Sequence, residues 1–318
     1  MKNEIMKLNQ SNSPILFLIF NRPDTTQRVF DVIKRTQPKQ LFIAADGPRK
    51  KNDTDVLLCE RTREIINYID WDCELHTLFR ENNLGCRTAV SSAIDWFFSH
   101  VDKGIILEDD CLPDLSFFRF CDELLERYSD DERVMTISGD NFQFYVNKTP
   151  YSYYYSRYPH IWGWATWRRA WKHYDMNMNS WPVFRDNKCL YNIFSHKSEV
   201  NYWEKNFDMS FNGLINTWDY QWVFSCWIQG ALSITPNVNL ISNIGFGKQS
   251  THTHNNTIFT ELPLQKMEFP LKHPKFFLRD SKSDEFTEKI WFSKKGSLRN
   301  SIFCNFISLK EKFLKYCE

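Results

Sequence analysis

Short apolar runs alternate with amphipathic segments through the first third of this sequence. Residues 15–20 are uninterruptedly apolar, which is typical of a buried strand, and three further segments, the mainly apolar 40–45 and 104–107 and the more polar 73–78, are predicted to be strands as well. The segments between them have helical periodicity, which is clearest at 89–97. This β-α-β-α-β-α-β order predicts an α/β fold with a doubly wound, mostly parallel central sheet flanked by helices.

The rest of the chain is less regular and rich in aromatic residues. Residues 151–155 are a tyrosine run at strand spacing, 162–167 are predicted to be an aromatic loop, and 217–229 are predicted to be helical. Residues 301–316 combine helical periodicity with several lysines, which predicts an amphipathic helix near the C-terminus.

The predicted organisation has three parts. A polar tail over 1–13 precedes a domain over 14–255, which is divided into halves at 14–115 and 116–255, and an extension with helical character follows over 256–318. A chain of 318 residues is long enough for one large α/β domain with such additions.

Composition narrows the classes of protein that fit this chain. The net charge is +1, so no excess of positive charge indicates nucleic-acid binding. The N-terminal residues lack the apolar core of a signal peptide, and nine cysteines without a C-x-x-C pair are typical of reduced thiols. We therefore expect a cytoplasmic protein. Aromatic residues make up 16%, which indicates mainly a large core and, to a smaller extent, sugar binding.

Polar side chains follow all four predicted strands of the first third. They are Asn21 and Arg22, then Asp46, then Arg80 and Asn83, and finally Glu108, Asp109 and Asp110. Because ligands bind at the carboxyl ends of parallel strands in such sheets, we expect these side chains to belong to one binding site.

The acidic triplet formed by Glu108, Asp109 and Asp110 carries the strongest chemical signal. Three consecutive acids after an apolar strand are costly unless a positive group lies beside them. A hard divalent cation, held by one or two carboxylates and a diphosphate, is the usual partner, and it acts as a Lewis acid towards a leaving diphosphate. The alternative interpretation is a solvated acidic turn.

Four single residues give weaker signals, most with a structural alternative. Asp46 is suited to accept hydrogen bonds from a base or ribose, or to belong to an Asp-Gly turn. Arg22 is suited to bidentate pairing with a phosphate. Asp219 lies among aromatic residues, where partial desolvation suits a general base, but it equally fits an acid at a helix start. Lys248 lies in a glycine-containing loop, which fits either closure over a diphosphate or a surface turn.

Six of these segments, in this order, resemble the GT-A-fold glycosyltransferases. The similarity is greatest to the inverting N-acetylglucosaminyltransferase I type and to a group of soluble bacterial proteins classed as glycosyltransferases. It covers about residues 14–254 and rests on the segments at 14–22, 42–47, 106–118, 163–164, 218–219 and 241–248. The resemblance implies a GT-A fold and a transferase that uses a nucleotide sugar.

The resemblance also implies roles for individual residues. Asp110 would bind Mn²⁺ or Mg²⁺, Glu108 and Asp109 would contact the sugar and ribose, and Asp219 would be the catalytic base. The other donor-binding candidates are Asn21, Arg22, Asp46, Arg80, Asn83, Trp218 and Lys248, and the acceptor-binding candidates are Gly163 and Trp164. Tyr220 and Gln221 depart from the second acid of the family's W-D-D-W segment, so acceptor contacts are expected to differ.

The expected reaction is inverting transfer of a sugar to a hydroxyl of a glycan or lipid-linked saccharide. The resemblance suggests N-acetylglucosamine as the sugar and UDP as the nucleotide of the donor. The alternatives are a sugar-phosphate nucleotidyltransferase, a non-catalytic nucleotide-sugar or carbohydrate-binding module, and a structural protein with solvated acids. The first usually carries a glycine- and lysine-rich loop after its first strand, and residues 21–26 contain no glycine. The helix at 301–316 fits either peripheral contact with an anionic inner membrane face or packing on its own domain.

Overall fold

The computed structural model describes residues 11–144, 146, 149–245 and 262–291. The strands in this part of the chain are β1 Ile15–Ile19, β2 Gln40–Ala45, β3 Glu74–Phe79, β4 Lys103–Glu108, β5 Cys111–Pro113, β6 Val134–Ser138, β7 Tyr153–Ser156, β8 Trp164–Trp167, β9 Leu232–Pro236 and β10 Ile241–Asn243. The α-helices are α1 Pro23–Thr36, α2 Asp53–Arg63, α3 Gly85–His100, α4 Leu115–Arg127, α5 Arg168–Trp171, α6 Trp181–Asp186, α7 Lys197–Phe211, α8 Asp219–Ile228 and α9 Ser281–Trp291. Two 3₁₀ turns cover Glu64–Tyr68 and Cys189–Asn192.

Eight of these strands form one mixed sheet in the order β3-β2-β1-β4-β8-β6-β9-β7. The first four are mutually parallel, which brings their carboxyl ends to one edge. Strand β8 runs antiparallel to both of its neighbours, β4 and β6, whereas β6 and β9 are parallel. Strands β5 and β10 form a separate antiparallel pair.

Both faces of the sheet are covered, and alternate residues of β1 show how. Ile15, Phe17 and Ile19 pack in a core with α1 and α4, whereas Leu16 and Leu18 pack with α3, α5 and α8 on the opposite face. Burial on both faces explains why β1, β2 and β4 are nearly continuous apolar runs, whereas the edge strand β3 is partly exposed and contains polar residues.

A third apolar cluster joins α6, α7 and α8, a region in which the sequence is hard to interpret. Trp181 of α6 packs edge-on against Phe207 of α7, with 5.1 Å between ring centroids, and both rings lie within 6 Å of Phe224 of α8. The aromatic residues thus mainly build core, and they fix α8, whose first residue is Asp219.

The structure confirms an α/β fold with a large, mostly parallel mixed sheet flanked by helices. The helix predicted over 53–69 ends at Arg63 and continues as the 3₁₀ turn. The prediction of a loop at 162–167 is wrong, because residues 164–167 form β8, a central strand. All four of its residues are buried, so the strand lacks the polar alternation by which a half-buried strand is recognised.

Segments on both sides of the predicted 14–255 domain contact elements of that domain. The carboxylate of Asp122 accepts hydrogen bonds from the backbone N–H groups of Asn12 and Ser13, both at 2.9 Å. Helix α9 packs against β7, where the buried Asp284 accepts a hydrogen bond from the Ser156 hydroxyl at 2.6 Å.

The amphipathic helix predicted at 301–316 lies outside the described residues, as does the predicted boundary at 255. Among the helices that the structure does describe, none combines the length and the apolar character needed to cross a bilayer.

Candidate functional site

A cavity of about 810 Å³ lies at the carboxyl edge of the parallel strands. Its lining comes from the ends of β1, β2 and β4, the start of α3, the segment before β8, helix α7, the loop into α8, and the segment after β10. Both the acidic triplet and Asp219, which are far apart in the sequence, line this one cavity. Its volume is within the range of small-molecule and cofactor sites.

The acidic triplet sits where β4 ends and the chain turns into β5. Glu108 is the last residue of β4, and its side chain is half-buried against the cavity. Asp109 is buried, and its Oδ2 accepts a hydrogen bond from the backbone N–H of Phe20 at 3.2 Å. The triplet therefore holds the loop that follows β1 as well as presenting charge to the cavity.

Arg22 supplies the positive charge beside the triplet. Its Nη1 lies 2.7 Å from Asp110 Oδ2 and 3.6 Å from Asp109 Oδ1. Burial acts to lower the pKa of Arg22, but the charges of Asp109, Asp110 and Glu108 outweigh it and raise that pKa. Arg22 thus remains a permanent cation in the site.

One arginine does not balance three carboxylates. Burial is the main cause that raises the pKa of Glu108, and repulsion from Asp110, Asp109 and Asp219 adds to it. Burial also raises the pKa of Asp109, with repulsion from Asp110 adding to the effect while Arg22 opposes it. The site thus carries excess negative charge, which favours protonation or a bound cation.

The β5–β10 pair closes the far side of Asp110. The backbone N–H of Ile244 donates to the carbonyl oxygen of Asp110 at 2.8 Å, and a Cβ added at Gly245 would lie 2.1 Å from Asp110 Oδ2. Glycine is required at this position because any side chain would displace the carboxylate.

Asp219 is half-buried at the first residue of α8. Its Oδ1 accepts hydrogen bonds from the Thr217 hydroxyl and, at 2.9 Å, from the backbone N–H of Tyr220. No donor within the described part of the chain is hydrogen-bonded to its Oδ2. One carboxylate oxygen is thus held in place while the other remains able to accept a proton.

Asp46 lines the cavity, but its carboxylate is already used by the protein. Its two oxygens accept hydrogen bonds from the backbone N–H groups of Gly47, Leu84 and Gly85 and from the Asn83 side chain, all at 2.9–3.2 Å. Since Gly85 begins α3, Asp46 fixes the N-terminus of that helix. Its carboxylate is thus used mainly to hold the protein itself, and a contact with a base or ribose stays a prediction.

Three other predicted donor-binding residues also have partners in the protein. Asn21 donates to Asp55 Oδ1 at 2.9 Å, so it links the end of β1 to the first turn of α2. Arg80 lines the cavity and donates to the Ser92 hydroxyl at 2.8 Å, and burial lowers its pKa. Asn83 lines the cavity as well and also donates to the Gly47 carbonyl at 2.9 Å.

The structure corrects the prediction that Gly163 and Trp164 contact an acceptor. Trp164 is fully buried, and its ring stacks on Trp218 with 5.5 Å between centroids. Gly163 has a φ of +61°, and a Cβ there would lie 2.5 Å from the Ile241 side chain. Because β8 enters the sheet antiparallel to β4, the residues that reach the cavity are those just before it, Ile161 and Trp162.

Two predicted donor-binding residues remain, Trp218 and Lys248. Trp218 contributes to the cavity wall but is 2% exposed, so its ring is mainly core. Lys248 lies outside the described residues.

Several cavity residues were not predicted from the sequence. Arg49 binds the buried carboxylate of Asp55 through two side-chain hydrogen bonds of 2.5 and 2.9 Å, and its guanidinium lies 5.5 Å from the Phe20 ring centroid. A basic residue just after the Gly47-Pro48 turn was the available signal. Cys86 also lines the cavity, and burial and then the surrounding acids raise its pKa. Its sequence context gave no signal.

The carboxylates present fit a divalent cation only in part. Within the described residues, no group of three His, Cys, Asp or Glu side chains is arranged to hold a metal ion by itself. The excess of negative charge beside Asp110 nevertheless suits a hard cation that takes its other ligands from a diphosphate and water.

Comparisons with known proteins assign no family. No family model and no curated protein matches the chain. Among solved structures it is similar to HddC from Yersinia pseudotuberculosis, with a TM-score of 0.27 and 12% identity over 39% of this chain and 56% of that chain. The aligned part is about half of that protein's length, and similarity at this level shows neither a shared fold nor a shared function. The fold and the cavity define an α/β protein with an acidic, ligand-sized cavity at the carboxyl edge of its parallel strands.

Proposed function

We propose that this protein is a metal-dependent, inverting glycosyltransferase of the GT-A type. It transfers a sugar from a nucleotide-diphosphate donor to a hydroxyl of a glycan or lipid-linked saccharide. The observation that supports this function is the shared cavity, whose lining includes the acidic triplet after β4 and, from another element, the carboxylate of Asp219. A sugar held between a diphosphate and a base requires two such groups.

The triplet and Arg22 form the diphosphate end of this site. Asp110, with Asp109 and Glu108 nearby, would hold a divalent cation, which when bound neutralises charge on the departing diphosphate. Arg22 is suited to pair with phosphate oxygens because its guanidinium matches them geometrically. Electrostatic stabilisation at this end is expected to be the largest contribution to the rate.

Asp219 forms the acceptor end. Its Oδ2 takes the proton of the acceptor hydroxyl as that oxygen attacks the anomeric carbon from the side opposite the diphosphate. Thr217 and the N–H of Tyr220 hold the other oxygen, which orients the carboxylate. The half-buried Trp162, which also lines the cavity, offers an aromatic face suited to sugars.

Replacement of Asp219 tests this proposal. In a donor-hydrolysis assay with UDP-N-acetylglucosamine and Mn²⁺, and in a screen of other nucleotide sugars, we expect Asp219→Asn to lower turnover by about 10²–10⁴-fold. Donor binding should change little, because Asp219 lies at the acceptor end. Asp110→Asn should lose turnover together with Mn²⁺ binding.

Asp53→Asn is the matched control, since Asp53 is also the first residue of a helix but is exposed and outside the cavity. It should retain full turnover. Unchanged turnover in Asp219→Asn would remove the base assignment, and donor binding without turnover in the wild type would favour a non-catalytic binding module.

A further inference from the structure

Arg22 lies against the two aspartates of the triplet. Its side chain is 18% exposed, and Nη1 is hydrogen-bonded to Asp110 Oδ2 at 2.7 Å while lying 3.6 Å from Asp109 Oδ1. Gly245 packs directly against the same Asp110 oxygen. That oxygen is therefore enclosed by a guanidinium on one side and backbone on the other.

A metal ion that approaches Asp110 meets a fixed positive charge. Two like charges a few ångströms apart repel strongly in a partly buried site. A diphosphate changes this balance, because its oxygens pair with a guanidinium as well as a carboxylate does and bring additional negative charge. Arg22 also lines the cavity, so its guanidinium is within the space that a diphosphate would enter.

We propose that Arg22 opposes cation binding until a diphosphate is present. In the ligand-free protein Arg22 pairs with Asp109 and Asp110; when a diphosphate enters, the guanidinium moves to the phosphate oxygens and Asp110 becomes available to the cation. Arg22 would thus limit loading of the free metal ion. This inference rests on the proposed function and adds an order of binding to it.

The test measures metal and diphosphate binding separately by titration calorimetry, without turnover. Mn²⁺ alone and, in metal-free buffer, inorganic pyrophosphate alone are titrated into the wild type and Arg22→Gln. We expect the variant to bind Mn²⁺ about ten-fold more tightly and pyrophosphate about ten-fold more weakly, because one positive charge has been removed. A purely structural arginine would weaken both ligands together.

Two further variants make the result specific. Arg185→Gln is the matched control, because Arg185 also bridges two aspartates, Asp186 and Asp208, but lies outside the cavity. It should change neither affinity. Arg22→Lys keeps the charge and loses the planar fork, so it should leave Mn²⁺ affinity within about two-fold of the wild type and weaken pyrophosphate. If Arg22→Gln does not fold by circular dichroism, Arg22→Met, which also removes the charge, serves as the test variant with the same expected result.

The possible outcomes separate the inference about Arg22 from the proposed transferase function. Equal or weaker Mn²⁺ binding in Arg22→Gln overturns the inference and leaves the proposed function intact if the wild type still turns over a donor with Mn²⁺. Absence of both Mn²⁺ and pyrophosphate binding in every variant, together with no turnover, overturns the metal-dependent transferase as well.

Discussion

At the scale of single residues, the sequence indicated which acids lie at the cavity but not which of them the protein itself hydrogen-bonds. An acidic triplet after an apolar strand predicts a charged cavity, and Glu108, Asp109 and Asp110 do line one. Asp46 has the same kind of position, yet backbone N–H groups use both its oxygens. Asp46 differs from the triplet because the loop at 80–84 passes beside it and donates hydrogen bonds to it. No local sequence pattern encodes this tertiary contact.

The buried acids make stability depend on pH. The pKa of Glu108 is raised to about 8, against an unfolded value of about 4.3. The folded protein therefore binds more protons than the unfolded chain, so stability is greatest below about pH 4 for this group and is lost as pH rises to about 8. In ligand-free protein we expect Glu108→Gln to reduce that loss by roughly 1–3 kcal/mol, as measured by urea unfolding between pH 5 and 8.5.

The exposed Glu60 of α2 provides the control for this measurement. Glu60→Gln should follow the wild-type pH profile throughout. Parallel profiles for the wild type and Glu108→Gln would contradict the idea that burial raises the pKa of this carboxyl group.

At the scale of elements, the parallel strands of the first third and the tyrosine strand β7 were predictable, whereas the central strand β8 was not. Apolar runs between amphipathic helices predict β1, β2 and β4 because these strands are buried on both faces, whereas the edge strand β3 is partly exposed. Strand β8 lacks a flanking helix of comparable length, and its aromatic residues fit a loop as well as a strand. Strand direction decides which end of a strand meets the cavity, and for β8 the residues that reach it are Ile161 and Trp162, which precede the strand.

Helix α3 provides a test of the role found for Asp46. Asp46→Asn replaces one carboxylate oxygen with an amide NH₂ group, which cannot accept hydrogen bonds from the backbone N–H groups at the helix start. We expect a loss of about 1–3 kcal/mol in the free energy of unfolding, measured with urea. The exposed Asp24 in the first turn of α1 is the comparison, and Asp24→Asn should change stability by less than about 0.5 kcal/mol. Normal stability of Asp46→Asn combined with weaker donor binding would instead support a contact between Asp46 and the nucleotide.

At the scale of the whole molecule, the cavity joins regions that fold around different cores. The carboxyl ends of β1, β2 and β4 form one side of the cavity. Helices α7 and α8 and the loop between them form the other side, and the third apolar cluster packs behind these helices. This arrangement follows from a topology that only the three-dimensional structure reveals, because residues 176–210 carry no clear periodicity. A ligand that spans the cavity contacts both regions.

Ligand binding across these regions should raise the melting temperature. At about 100 times the dissociation constant, a bound donor adds about 2.7 kcal/mol, which corresponds to roughly 3–8 °C. We expect this shift for one nucleotide sugar with Mn²⁺ and a smaller one without it, measured by differential scanning fluorimetry. No shift with any nucleotide or nucleotide sugar, in either condition, would favour a protein whose acids are simply solvated.

The two sides of the cavity also differ in their tolerance of change. The sheet side is fixed by close contacts, such as that of Gly245 with Asp110, whereas the opposite margin carries Leu214, which is 72% exposed. Substitutions or insertions around Leu214 alter the shape of the opening without disturbing the strands. For the transferase proposed above, this margin is where the cavity can be reshaped at the least cost in stability, so libraries aimed at new acceptors should begin there.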